Sequence, residues 1–163
     1  MSFGLSGCDK LIDKFKGCLI GGAVGDALGY PVEFLDYDTI QKIYNGDISR
    51  YSMTLHEALI SDDTQMTLFT ASGLIRADLL KKDNIEYEKN IYEAYQDWYN
   101  TQFKRDDECI YTSWLYEIEK LHSQRYPVTT CTGSLACRKM GSINNRINNR
   151  NIKMNNCIEQ FVC

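Results

Sequence analysis

Ser61-Asp62-Asp63-Thr64 sets two adjacent carboxylates between two hydroxyls, a group of hard oxygen donors that suits magnesium or manganese. The same tetrapeptide has the composition of a helix N-terminus. Ser61 would cap it, and Asp62 and Asp63 would lie against the positive end of the helix dipole. Four residues do not choose between these readings. A second chemical feature is Gly21-Gly22-Ala23-Val24-Gly25-Asp26-Ala27-Leu28-Gly29, followed by Glu33. Glycine-rich sequence raises the possibility of a phosphate cradle, but no GxGxxG register and no preceding strand is present, so a dinucleotide-binding turn is excluded. No Gly-Lys-Ser/Thr follows either, which excludes a P-loop. What survives is a glycine-lined helix carrying one carboxylate at Asp26 and ending near another at Glu33. Asp26 is better suited to a hydrogen bond with a neighbouring helix end than to catalysis. Glu33 follows Pro31 in a turn and is the more accessible of the two. His56 and His122 are isolated, and no GxSxG elbow or Cys–His pairing is evident. His122 reads as a partner for a helix C-terminus.

The elements that must position these residues are helical. Leu11, Ile12, Phe15, Cys18, Leu19, Ala23 and Ala27 recur at three- and four-residue steps from Asp9 onward, which is one face of a helix. Asp9 is placed to cap it, and Gly29 before Tyr30-Pro31 to stop it. Glycines at 17, 21, 25 and 29 form a bare stripe along this helix. Each interior glycine costs roughly 1 kcal/mol of helix stability relative to alanine, so the stripe predicts a close backbone approach or a ligand. A second helix is predicted from near Ser61 to about Leu80, burying Met66, Phe69, Gly73, Leu74, Ala77 and Leu80. A third covers about Tyr87 to Thr101, with Ile91, Ala94, Tyr95 and Trp98 on one face. A fourth runs from about Asp107 to His122, aligning Ile110, Trp114, Ile118 and Leu121. The aromatic positions read as core rather than as a ligand cage. Phe34 to Ile60 reads as one long irregular segment, and loops of that length are often functional. Strand-like alternation is scarce, and the predicted fold class is all-α.

Bulk properties narrow the function classes. With 163 residues the chain suffices for one domain with a real core. A net charge of -4 and no basic run argue against nucleic acid. The seven cysteines, at 8, 18, 109, 131, 137, 157 and 163, form no CxxC pair and are odd in number; they read as reduced thiols. Met1–Gly7 lacks the basic start and apolar stretch of a signal peptide. Gly17–Val32 is interrupted by Asp26 and is too short to span a bilayer. These features predict a cytoplasmic protein without a membrane partner. Gly141–Cys163 is asparagine-rich, with Ile143-Asn144-Asn145-Arg146 repeated as Ile147-Asn148-Asn149-Arg150. It has few apolar anchors and is expected to pack poorly.

Phe15-Lys16-Gly17-Cys18-Leu19-Ile20-Gly21-Gly22-Ala23-Val24-Gly25-Asp26-Ala27-Leu28-Gly29, then Pro31-Val32-Glu33-Phe34, resembles the opening helix of the ADP-ribosylglycohydrolase family. Ser61-Asp62-Asp63-Thr64-Gln65-Met66-Thr67 resembles that family's first metal-binding motif. The two occur in the family's order, about thirty residues apart, and the resemblance extends over about residues 11 to 145. It implies an all-helical bundle of orthogonally packed helices and two magnesium or manganese ions in a cleft. It also implies hydrolysis of the glycosidic bond joining ADP-ribose to a modified protein or small molecule. Carried over residue by residue, it gives Ser61, Asp62 and Asp63 as ligands of one metal, Glu33 as the catalytic or gating acid, and Asp26 as structural. The family's later Asp-x-Asp-Thr motif has no counterpart here, and Arg146 stands where the family would have proline. The expectation is therefore a truncated domain over residues 1–145, with 146–163 an atypical, disordered tail. Such a chain would hold at most a partial metal site. The competing expectation is a non-catalytic remnant or helical interaction protein.

Overall fold

The computed structural model describes residues 7–48, 58–80, 86–103 and 110–142. Five α-helices account for most of these residues: α1 (Gly7–Gly29), α2 (Tyr37–Tyr44), α3 (Asp62–Leu79), α4 (Tyr87–Phe103) and α5 (Thr129–Ala136). Short 3-10 turns occupy Tyr30–Val32, Trp114–Glu117 and Glu119–His122. No extended strand occurs among the described residues, as the all-α reading required. The chain divides into two compact units, Met1–Thr67 and Leu68–Cys163. The predicted tail lies outside the described residues, as does His56.

In the first unit, α1 stops where the sequence placed its stop: Gly29 leads into the 3-10 turn, with Pro31 supplying a preset φ. Its start is Gly7, so Asp9 sits inside the first turn and complements the dipole instead of capping. The expected apolar face is largely open. Leu11, Ile12 and Phe15 are exposed, and Ala27 is buried near the C-terminal end. Periodicity assigns residues to one face but does not say whether anything covers it. The glycine stripe also departs from expectation, because a Cβ built at Gly17, Gly21, Gly25 or Gly29 would meet nothing within 4 Å. Glycine is not required there by any described neighbour.

The segment read as one irregular loop contains α2. Asp36 caps it by accepting the Thr39 N–H at 2.8 Å and the Thr39 hydroxyl at 3.0 Å. Asn45 ends it in the left-handed region at φ 51°, donating to the Gln41 carbonyl at 2.9 Å, and Gly46 follows at φ 75°.

In the second unit Phe69 and Ala77 of α3, Ala94, Tyr95, Trp98 and Tyr99 of α4, Leu121, and Leu135 of α5 are buried. Leu74 and Leu80, expected on the buried side of α3, are exposed. The close approach predicted for the α1 glycines occurs instead at Gly73. A Cβ there would lie 2.7 Å from the Ile91 Cα and 2.9 Å from the Asn90 carbonyl oxygen of α4.

The predicted fourth helix does not form over 110–122. Asp97 of α4 accepts the Thr112 N–H at 2.7 Å, the Thr112 hydroxyl at 2.9 Å and the Ser113 N–H at 2.8 Å. These bonds commit the amides that a helix through Thr112 would direct to its own carbonyls. Ser113 then caps Trp114–Glu117 through the Leu115 N–H, and Ile118, extended at ψ 101°, separates it from Glu119–His122. Ile110 and Trp114, expected in the core, are exposed in consequence. His122 bonds the Tyr116 carbonyl at 2.7 Å and meets the Tyr116 ring edge-on.

Candidate active site: an acidic patch on a gripped helix turn

The first turn of α3 forms because its donors are satisfied. Ser61 Oγ accepts the Asp63 N–H at 3.1 Å, and the Ser61 carbonyl accepts the Gln65 N–H at 3.4 Å. This is the N-cap that the tetrapeptide composition allowed. A second acceptor comes from α1. Asp26 Oδ2 accepts the Ser61 N–H at 2.8 Å, the Thr64 N–H at 3.3 Å and the Thr64 hydroxyl. Asp26 thus bonds a neighbouring helix end, as its sequence context indicated.

Successive residues on a helix point about 100° apart, and the two adjacent carboxylates separate accordingly. Asp62 is buried, at 5% exposure, while Asp63 faces solvent. Glu33, the residue that closes the Tyr30–Val32 turn, is also exposed. Partial desolvation, then the charges of Asp63 and Asp26, push the Glu33 carboxyl above its ordinary value of 4.5. Partial desolvation followed by the Asp26 charge likewise raises Asp63 above 3.8. Glu33, Asp63 and Asp26 therefore share one negative patch within the first unit. Thr64, which ties Asp26 to this turn, was read from the sequence as one of the two hydroxyls flanking the aspartates, and not as the partner of Asp26.

No group of three or more His, Cys, Asp or Glu side chains among the described residues is arranged to hold a metal ion. Ser61 Oγ already accepts a backbone N–H, and Asp62 is buried with a partner of its own. The donor chemistry nevertheless fits a magnesium-type ion, which keeps several waters and takes one or two carboxylates together with substrate phosphates. Asp63 and Glu33 are two accessible carboxylates; after partial desolvation, the charges of Asp63 and Asp26 raise the cost of ionising Glu33, and a divalent cation held at Asp63 would relieve it.

These shifts give a pH dependence of definite sign. Glu33, Asp63 and the buried Asp97, raised chiefly by desolvation, all bind protons more readily folded than unfolded. Their stabilising contribution is fully present below 3.8–4.5 and is lost as pH rises through the folded values. Asp36 is lowered by its Thr39 bonds, so its contribution is lost only as pH falls below 3.8. Lys89 and the shifted tyrosines titrate at pH 10 and above. The metal-free protein should therefore melt higher at pH 5 than at pH 7. A midpoint that falls steadily on acidification across that range would contradict the assignment.

Comparison with known proteins follows the same residues. The chain matches the ADP-ribosylglycohydrolase family over residues 8–154, and it belongs to that family. It is 32% identical over 76 residues to an uncharacterised protein of Archaeoglobus fulgidus, a stretch covering 44% of this chain and 25% of that protein. It is 38% identical over 69 residues to the ADP-ribosylarginine hydrolase Tri1 of Serratia proteamaculans, covering 42% of this chain and 18% of that enzyme. The matched stretches thus amount to a quarter or less of these relatives' lengths. No solved structure matches. Among the described residues no single helix is long and apolar enough to cross a membrane, and Cys18, Cys131 and Cys137 form no disulfide.

Proposed function

We propose that this chain acts as a metal-dependent hydrolase of the glycosidic bond joining ADP-ribose to a modified protein or small molecule, using the acidic patch on the α3 turn. The observation that carries the reading is that Glu33 lies close enough to feel the charges of Asp63 and Asp26, residues from separate motifs, within the span matched to the family. Asp63 would hold magnesium or manganese, with Ser61 and Asp62 as the remaining oxygen donors of the turn. When bound, the ion would offset the two phosphate charges of ADP-ribose and polarise ribose or phosphate oxygens. Glu33, raised toward the range useful for proton transfer, takes the proton of the attacking water as the anomeric bond breaks with oxocarbenium character. The name of the Serratia relative makes an ADP-ribosylarginine linkage the first substrate to assay. The acidic chain would work on such a target in the cytoplasm, with no nucleic-acid or membrane partner.

A second reading, a protein that binds without turnover, is favoured by one observation: the described residues contain no cluster of three metal-binding side chains. Thermal melts of the whole chain with and without manganese test the site itself. At 100 times its dissociation constant the ion should add about 2.7 kcal/mol, roughly 5–10 °C for a protein of this size. Replacing Asp62 and Asp63 by alanine should abolish that increment. The lost dipole interaction of Asp62 should lower the metal-free baseline by up to about 1 kcal/mol, while the loss of Asp63, whose ionised form the fold disfavours, offsets part of that. A midpoint indifferent to manganese in the unmodified chain would overturn the metal reading.

A further inference from the structure

The α3 turn has an anchor that its own sequence does not supply. Ser61 and Thr64 are buried, at 3% and 7% exposure, so their N–H groups have little access to water. The Ser61 hydroxyl satisfies Asp63 N–H and no other donor in the turn's described bonds. The Ser61 and Thr64 amides, and the Thr64 hydroxyl, converge on one oxygen of Asp26, which is 35 and 38 residues away in the chain. Three donors fixed to one point leave the turn little freedom to rotate. That matters because a one-residue change of phase, about 100°, would exchange the places of Asp62 and Asp63.

We propose that Asp26 is a positioning residue: by accepting Ser61 N–H, Thr64 N–H and the Thr64 hydroxyl on Oδ2, it sets the phase of the α3 turn that buries Asp62 and presents Asp63 to a ligand. The role rests on the metal reading above for its purpose, but on the hydrogen bonds alone for its geometry. In this role Asp26 would hold the turn and would not itself be a ligand. It acts as the hydrogen-bonded supports of metal ligands do, whose loss weakens binding without removing a ligand.

Two measurements on the whole chain separate this inference from the reading it rests on. Manganese is titrated by following the electron spin resonance of the free ion in the unmodified chain, Asp26→Ala, Asp26→Asn and Thr64→Val. Amide hydrogen exchange is followed at Ser61 and Thr64, with Trp98 and Thr101 as controls. Asp26→Ala should weaken manganese binding by about 10- to 100-fold and speed exchange at Ser61 and Thr64 by roughly tenfold or more, with the controls unchanged. Asp26→Asn keeps an acceptor oxygen and should retain most of the affinity. Thr64→Val, which removes one of the three donors, should shift both readouts in the same direction by less, and serves if Asp26→Ala does not fold. Unchanged exchange at Ser61 and Thr64 in Asp26→Ala overturns the inference. So does Asp26→Asn binding manganese as poorly as Asp26→Ala while keeping its protection, because Asp26 would then be a ligand. If the unmodified chain binds no manganese, the metal reading fails. The exchange pattern then decides alone whether Asp26 sets the turn.

Discussion

Glu33→Gln is expected to lower the rate of ADP-ribose release by two to four orders of magnitude, while leaving the fold and the manganese-dependent rise in melting midpoint in place. The magnitude is what positioned general acid–base groups contribute, and each tenfold corresponds to about 1.36 kcal/mol of barrier. Glutamine keeps the size of the side chain and an oxygen acceptor but cannot take a proton. Its stability effect should be small and favourable. Glu33 is exposed by area, and neutralising it relieves the partial desolvation and then the repulsion from Asp63 and Asp26 that raise its carboxyl in the folded state. The metal-free variant should therefore melt at or slightly above the parent at pH 7, and its midpoint should change less between pH 5 and pH 7. The assay follows release of free ADP-ribose from an ADP-ribosylarginine substrate with manganese present. Comparable rates in parent and variant would remove Glu33 from the chemistry. A parent that binds manganese yet releases nothing would favour the second reading, binding without turnover.

How much of this site could be read from the sequence depends on how local its determinants are. The ends of α1 and α3 were legible because their signals lie beside them: Gly29-Tyr30-Pro31 for the stop and Ser61-Asp62-Asp63 for the start. The role of Asp26 was legible in kind, as a bond to a helix end, although its partner Thr64 was not. The signals for α2 were present as Asp36 three residues before Thr39 and as Asn45-Gly46, but the polar character of the stretch masked them. The missing fourth helix is a different kind of error. Ile110, Trp114, Ile118 and Leu121 have helical spacing, and nothing nearby forbids a helix. What prevents it is Asp97, some fifteen residues earlier, which takes the Thr112 and Ser113 amides. Asp97 and Asp26 use the same device: a helix-borne carboxylate grips the first amides and the threonine hydroxyl of a later turn. A periodicity argument cannot see it, because the donor turn and the acceptor helix meet only after folding.

The glycines give the last expected result, and they reverse the weight the sequence assigned to them. Gly73→Ala should destabilise the protein by about 3 kcal/mol or more, the upper range for overpacking a tight contact, lowering the midpoint by roughly 6–12 °C. The added Cβ would sit 2.7 Å from the Ile91 Cα and 2.9 Å from the Asn90 carbonyl oxygen. Both are backbone atoms of α4 that cannot rotate away, so the two helices must separate. Trp98 and Phe69, each at 0% exposure, would lose contact with their surroundings if they did. Gly21→Ala should do the opposite. Gly21 lies inside α1 with nothing within 4 Å of the new Cβ, so alanine gains helix propensity and restricts the unfolded chain, adding about 0.4–1 kcal/mol. Denaturant melts of the two variants at one pH settle the comparison through their midpoints, provided the slopes agree. If Gly73→Ala proved harmless, the α3–α4 approach would be looser than the structure shows. If Gly21→Ala lost stability or manganese binding, the α1 stripe would have a partner or ligand after all, and the chemical reading first suggested by its sequence would return.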